Sequence, residues 1–143
     1  MPIGIVAKML KISVHTIRLY EHSGLILIRR NSSGRRIFSE WDIERLRCIR
    51  RMIIEDKLNI EGIRKILSMI PCWLKVEGCN KTIYENCPAY NTTEGPCWSL
   101  KEKPALSCNR DCYSCPVYRE AYDCSEIKNL IKKHLKISSD KLQ

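Results

Sequence analysis

Residues 13–28 read Ser13-Val14-His15-Thr16-Ile17-Arg18-Leu19-Tyr20-Glu21-His22-Ser23-Gly24-Leu25-Ile26-Leu27-Ile28, a helix followed by an abrupt change to an apolar extended run. Ser13 is suited to cap a helix, and Thr16, three residues on, adds a second hydroxyl to its first turn. Val14 and Ile17, with Tyr20 or Glu21 at the edge, give that helix its apolar side. Ser23-Gly24 ends it, with Gly24 suited to a left-handed C-terminal cap. Upstream, Ile3, Val6, Ala7 and Leu10 recur at helical spacing, and Lys11-Ile12 makes a turn. Two short helices joined by a tight turn predict a helix-turn-helix. Downstream, the apolar run Leu25–Ile28 and the pair Ile37-Phe38 flank a polar tip holding Arg29, Arg30, Gly34, Arg35 and Arg36. That is a hairpin. Its four arginines beside a helix-turn-helix predict a wing that grips phosphates.

The helical pattern resumes at Ser39, an N-cap followed by Glu40 and Asp42, which suit the positive end of a helix. Ile43, Leu46, Ile49 and Ile53 carry its core stripe to about Glu55, and Arg45, Arg47, Arg50 and Arg51 are assigned to its outer surface. A last helix spans about Ile60 to Met69, and Pro71 marks the end of this region.

The whole chain has 143 residues, nine cysteines and a formal charge of +9. Residues 1–71 carry 14 Lys and Arg against 7 Asp and Glu; residues 72–143 carry 11 against 9. Only Cys48 lies in the first part, where a small buried hydrophobe is expected. This asymmetry predicts two modules with different tasks. No apolar run approaches the roughly 18 residues that span a bilayer, and the start of the chain lacks a signal-peptide pattern. The expected location is cytoplasmic, where cysteines point first to metal or redox chemistry.

Residues 3–70 resemble the DNA-binding domain of the MerR family of bacterial and archaeal transcription regulators. The resemblance rests on Ile3-Gly4-Ile5-Val6-Ala7, the segment Ser13 to Glu21, Gly24-Leu25-Ile26, Arg35-Arg36-Ile37-Phe38-Ser39, Asp42-Ile43-Glu44-Arg45-Leu46 and Asn59-Ile60-Glu61-Gly62-Ile63. It implies that Ser13 to Glu21 is the recognition helix of a winged helix-turn-helix. Ser13, Val14, His15 and Thr16 would then face the groove of double-stranded DNA. Arg18 and Tyr20 would touch phosphates, and Arg35 and Arg36 would be the grips of the wing. It also implies a homodimer acting on promoter DNA.

The other cysteines are Cys72, Cys79, Cys87, Cys97, Cys108, Cys112, Cys115 and Cys124, and all eight are candidate metal ligands. Thiolates are soft ligands for zinc or iron–sulfur clusters. The tightest group is Cys108-x3-Cys112-x2-Cys115, and Cys72-Trp73 and Cys87-Pro88-Ala89-Tyr90 echo in Cys97-Trp98 and Cys115-Pro116-Val117-Tyr118. These segments resemble the cysteine-rich "two-CW" module attached to bacterial regulatory proteins, which implies a sensor or accessory role. The cofactor expected is an iron–sulfur cluster, most simply four-iron, with zinc or thiol–disulfide chemistry as alternatives. The module has few aliphatic residues, so a metal or crosslink is expected to support its fold.

The expected architecture is mainly α. A winged helix-turn-helix occupies residues 1–71, a cysteine-rich metal-binding sensor residues 72–116, and a C-terminal helix residues 117–143, with a dimer contact within 117–137. No general-base or nucleophile constellation appears in the sequence, so a regulator is expected rather than an enzyme. A passive DNA binder with structural zinc is the other class to distinguish.

Overall fold

A computed structural model describes residues 1–100, 111–122 and 132. Helix α1 (Ile3–Leu10) ends at Lys11, whose φ of 55° turns the chain into α2 (Val14–His22). Ser13 caps α2 by accepting from the Thr16 N–H at 3.0 Å. Gly24 follows with φ +77°, as the helix-end glycine requires. Strands β1 (Arg29–Arg30) and β2 (Arg36–Ile37) pair antiparallel, Arg29 opposite Ile37, and form the wing.

Helix α3 (Glu40–Ile54) opens with a complete capping box between Ser39 and Asp42. Helix α4 (Ile60–Ser68) is capped by the Asn59 side chain, which accepts from the Gly62 N–H at 2.7 Å. Their apolar stripes, with Val6, Ile17, Leu25 and Ile26, close a solvent-free core. The expected helices and hairpin of residues 1–70 are all present.

Beyond Pro71 the elements are short. They comprise α5 (Cys72–Lys75), α6 (Lys81–Tyr84), α7 (Pro88–Asn91), 3-10 turns at Cys97–Leu100 and Cys112–Ser114, and α8 (Pro116–Arg119). Prolines 71, 88 and 116 each sit where a helix starts, which explains the broken pattern. Among the described residues this region does not build a core of its own. Trp98, Val117, Tyr118 and Ala121 enter the core of the first module, so a single apolar interior runs through both.

Three expectations change. Arg45 is not on the outer surface: it is 3% exposed, inside a cage of Trp41, Trp98, Tyr118 and Tyr122. The run from residue 117 is not one continuous helix, because α8 ends at Arg119 and the chain turns so that Ala121 is buried and Tyr122 bonds Leu25. Tertiary contacts override the helical period there. Cys48 is buried as expected, but it is disulfide-bonded. Cys108, Cys124, and most of the expected C-terminal helix with its dimer contact lie outside the described residues.

Candidate nucleic-acid interface and cysteine cavity

The first turn of α2 presents a small polar surface. Ser13 and His15 are exposed, and Val14 and Thr16 are half-buried. The Ser13 and Thr16 hydroxyls lie 2.8 Å apart, so capping also fixes the two groups expected to face a groove. Arg18 is exposed on the next turn. Tyr20 is different. Its ring packs in the core, 4% exposed, Arg50 is the partner of its hydroxyl, and burial raises its pKa.

The wing is organised by Asn31. Its Oδ1 accepts from the Ser33 N–H at 3.0 Å, the Ser33 hydroxyl at 2.7 Å and the Arg35 N–H at 2.9 Å. Such a side-chain turn holds the loop without a strand ladder. Arg35 projects from it, exposed. Arg36 is engaged instead: its Nε donates to Glu21 at 2.6 Å, and Arg30 reaches the same carboxylate at 3.5 Å. Glu21 thus ties the wing to the recognition helix, a role its sequence context did not announce.

The six cysteines 72, 79, 87, 97, 112 and 115 are thiols and all line one cavity of about 290 Å³. Trp73, Tyr84, Trp98 and Tyr118 share its wall. A hydrogen bond joins the Cys72 and Cys97 thiols. That bond holds Cys72 below the usual thiol range and, with burial, pushes Cys97 up; the nearby Cys112 and Cys115 add to the upward shift. Among the described residues, no three Cys, His, Asp or Glu side chains converge so as to hold one metal ion. A tetrahedral zinc needs its thiolates about 2.3 Å from a single point. Six thiols nevertheless line this one cavity. Their soft sulfur chemistry fits an iron–sulfur cluster, which cysteines hold around its edges.

The same wall grips the first module. The Trp98 indole N–H donates to the Gly24 carbonyl at 2.6 Å. The Leu27 N–H donates to the Tyr118 hydroxyl at 2.8 Å, which in turn donates to the Leu27 carbonyl at 3.2 Å. The Tyr122 hydroxyl donates to the Leu25 carbonyl at 2.9 Å. Residues 24–27, the link between recognition helix and wing, therefore direct backbone groups to three aromatic side chains of the second module. Asp111 pairs with Arg29 of the wing at 2.9 Å, and the Tyr113 hydroxyl donates to Asp42 at 3.0 Å. Arg45 donates to the Tyr118 carbonyl at 2.5 Å. The aromatic residues were visible in the sequence only as cavity shields; their second role depends on contacts more than 70 residues apart in the chain.

Residues 1–70 match the family of MerR HTH family regulatory proteins. The HTH-type transcriptional regulator GlnR of Bacillus anthracis, and that of Bacillus cereus, are each 37% identical over 68 residues, covering 48% of this chain and 52% of the relative. The chain spans about half the length of the curated relatives it matches. No solved structure matches it. Among the described residues no helix is long and apolar enough to cross a membrane. With the capped α2, the two-stranded wing and the shared core on view, the assignment is plain: residues 1–70 are a helix-turn-helix domain of the MerR family.

Proposed function

We propose that the chain is a sequence-specific transcription regulator that binds double-stranded DNA and carries an iron–sulfur cluster, most simply four-iron, in its cysteine cavity. One observation carries this reading. The wall of the six-cysteine cavity includes Trp98 and Tyr118, the residues that hold the link between recognition helix and wing. The GlnR relatives are named as transcriptional regulators, which supports the DNA half of the reading. When bound, such a cluster supplies one-electron redox chemistry tuned by its surroundings.

On the DNA side, α2 offers Ser13, Val14, His15 and Thr16 to base edges, while Arg18 and Arg35 are the exposed cations for phosphates. Arg36 braces the wing through Glu21. A homodimer reading two half-sites in the cytoplasm fits this family. On the sensor side, the cysteines supply the ligands, and the Trp and Tyr side chains restrict water.

The test is to purify the full chain anaerobically, assay iron, sulfide and zinc, and select binding duplexes from a random-sequence pool. A brown protein with iron and sulfide, and recovery of a defined sequence, is the expected result. A colourless protein holding zinc would favour the structural-zinc alternative. Failure to enrich any sequence would overturn the regulator reading.

A further inference from the structure

The six cavity thiols are not equivalent. Cys72, Cys97, Cys112 and Cys115 pack against the core shared by both modules; Cys79 and Cys87 do not. These four also line the cavity together, Cys72 from α5, Cys97 from the turn before Leu100, and Cys112 and Cys115 from the turn before α8. Cys79 and Cys87 belong to the 76–91 stretch, where Tyr84 and Tyr90 stack with Trp73. Among the described residues that aromatic group has no ring contact with Trp41, Trp98, Tyr113 or Tyr118, which form their own group.

Chain position then matters. Cys97 immediately precedes Trp98, and Cys112 immediately precedes Tyr113. Cys115 lies one helical turn before Tyr118, and its carbonyl accepts from the Arg119 N–H. Three of the four thiols are thus coupled through one to three residues to side chains that grip Gly24, Asp42 and Leu27. Trp98 and Tyr118 are themselves in edge contact, with centroids 5.1 Å apart. Close-packed groups of this kind transmit strain to one another.

We infer that Cys72, Cys97, Cys112 and Cys115 are the ligand set of the cavity, and that binding there fixes Trp98 and Tyr118 and so sets the recognition helix relative to the wing. This rests on the cavity holding a thiophilic centre, as proposed above. Cys79 and Cys87 line the space without ligating. The centre acts on DNA binding through the Gly24–Leu27 link, the place where a small displacement changes the spacing of two DNA contacts.

The experiment uses the full chain, reconstituted anaerobically with ferrous iron and sulfide. Thiols are then alkylated with iodoacetamide, with and without prior removal of the metal by a chelator, and mapped by mass spectrometry. The expected result is protection of Cys72, Cys97, Cys112 and Cys115 in the loaded protein only, with Cys79 and Cys87 labelled in both. Cys97→Ser and Cys112→Ser should lose their iron, and Cys79→Ser and Cys87→Ser should keep it. The wild-type labelling needs no variant, so a misfolded substitution does not leave the question open. Equal protection of all six, or equal iron loss in all four variants, overturns the ligand set. If the chain takes zinc instead and the same four thiols are protected, the ligand set stands and the iron–sulfur reading falls. If neither metal loads, both fall. The link is read by hydrogen exchange of the peptide covering residues 24–28. Loading should slow its exchange, and Tyr118→Phe should abolish the slowing while iron remains bound. Identical exchange in loaded and unloaded protein overturns the coupling.

Discussion

Replacing Tyr118 by Phe removes one oxygen atom from the centre of this molecule. The hydroxyl accepts from the Leu27 N–H at 2.8 Å and donates to the Leu27 carbonyl at 3.2 Å. Tyr118 is 1% exposed, so water does not easily replace it. The ring stays, and with it the contacts to Trp41, Trp98 and Arg45, whose guanidinium lies 3.6 Å above its centre. The loss is thus confined to the paired hydrogen bonds. An unsatisfied, part-buried backbone group costs about 1–3 kcal/mol, so a loss of roughly 2 kcal/mol is expected. At about 2–4 °C per kcal/mol for a chain of this size, Tm should fall by roughly 4–8 °C. Urea unfolding followed by circular dichroism and calorimetry measures both.

The same substitution has a signature in pH. Burial, partly offset by Arg45, pushes the Tyr118 pKa up to about 12. An unfolded tyrosine titrates near 10. The native state therefore holds the proton more tightly, and its contribution is complete below pH 10. It is lost as pH rises from about 10 to 12, because the unfolded chain ionises first. Two pH units correspond to roughly 3 kcal/mol. The wild type should weaken steeply over that interval, and Tyr118→Phe should weaken less. Unchanged urea stability together with an unchanged alkaline limb would refute the view that this hydroxyl joins the two modules.

Other substitutions probe the aromatic cage, the helix-end glycine and the wing. Arg45→Lys removes the planar cation from its aromatic cage and should cost roughly 2–4 kcal/mol, combining cation–π and charged hydrogen-bond losses; chemical denaturation would show it. Gly24→Ala places a Cβ 2.7 Å from the Ser99 Cβ at φ +77°, and should destabilise by about 1–3 kcal/mol, with Gly34→Ala at φ +82° and open surroundings as the strain-only comparison. Arg35→Ala should weaken DNA binding for all sequences alike and reduce the salt slope by about one unit, whereas Arg36→Ala should act chiefly through the Glu21 brace and lower thermal stability.

The first seventy residues were largely legible because their signals are local. Ser13, Ser39 and Gly24 mark helix ends through chemistry within a few residues, and Ile43, Leu46 and Ile49 give a clean period. Arg45 reads as surface because a cation between core positions usually is; its burial depends on aromatic rings from residues 98–122 joining Trp41 around it. Tyr20 and Arg36 show the same limit. Both are polar-tipped residues on elements expected to touch DNA, and internal partners, Arg50 and Glu21, engage them. The gathering of cysteines was visible as composition, but the division into four core-packed thiols and two others was not. Spacing along the chain does not encode which loop leans on which core. The dependence of the second module on the first was half legible: its shortage of aliphatic residues signalled a missing core, and the structure supplies it from the neighbouring helices.

In the proposed mechanism the cysteine cavity and the DNA-contacting elements act as one mechanical unit. Its most direct test is the affinity of the full chain for a selected duplex, at one fixed salt concentration, anaerobically loaded with iron and sulfide and again after chelation. A difference of about 5- to 150-fold between the two states is expected, the usual range of coupling between sites, and Tyr118→Phe should shrink it. Equal affinities and equal DNA bending in a protein shown to load and unload its metal would contradict it.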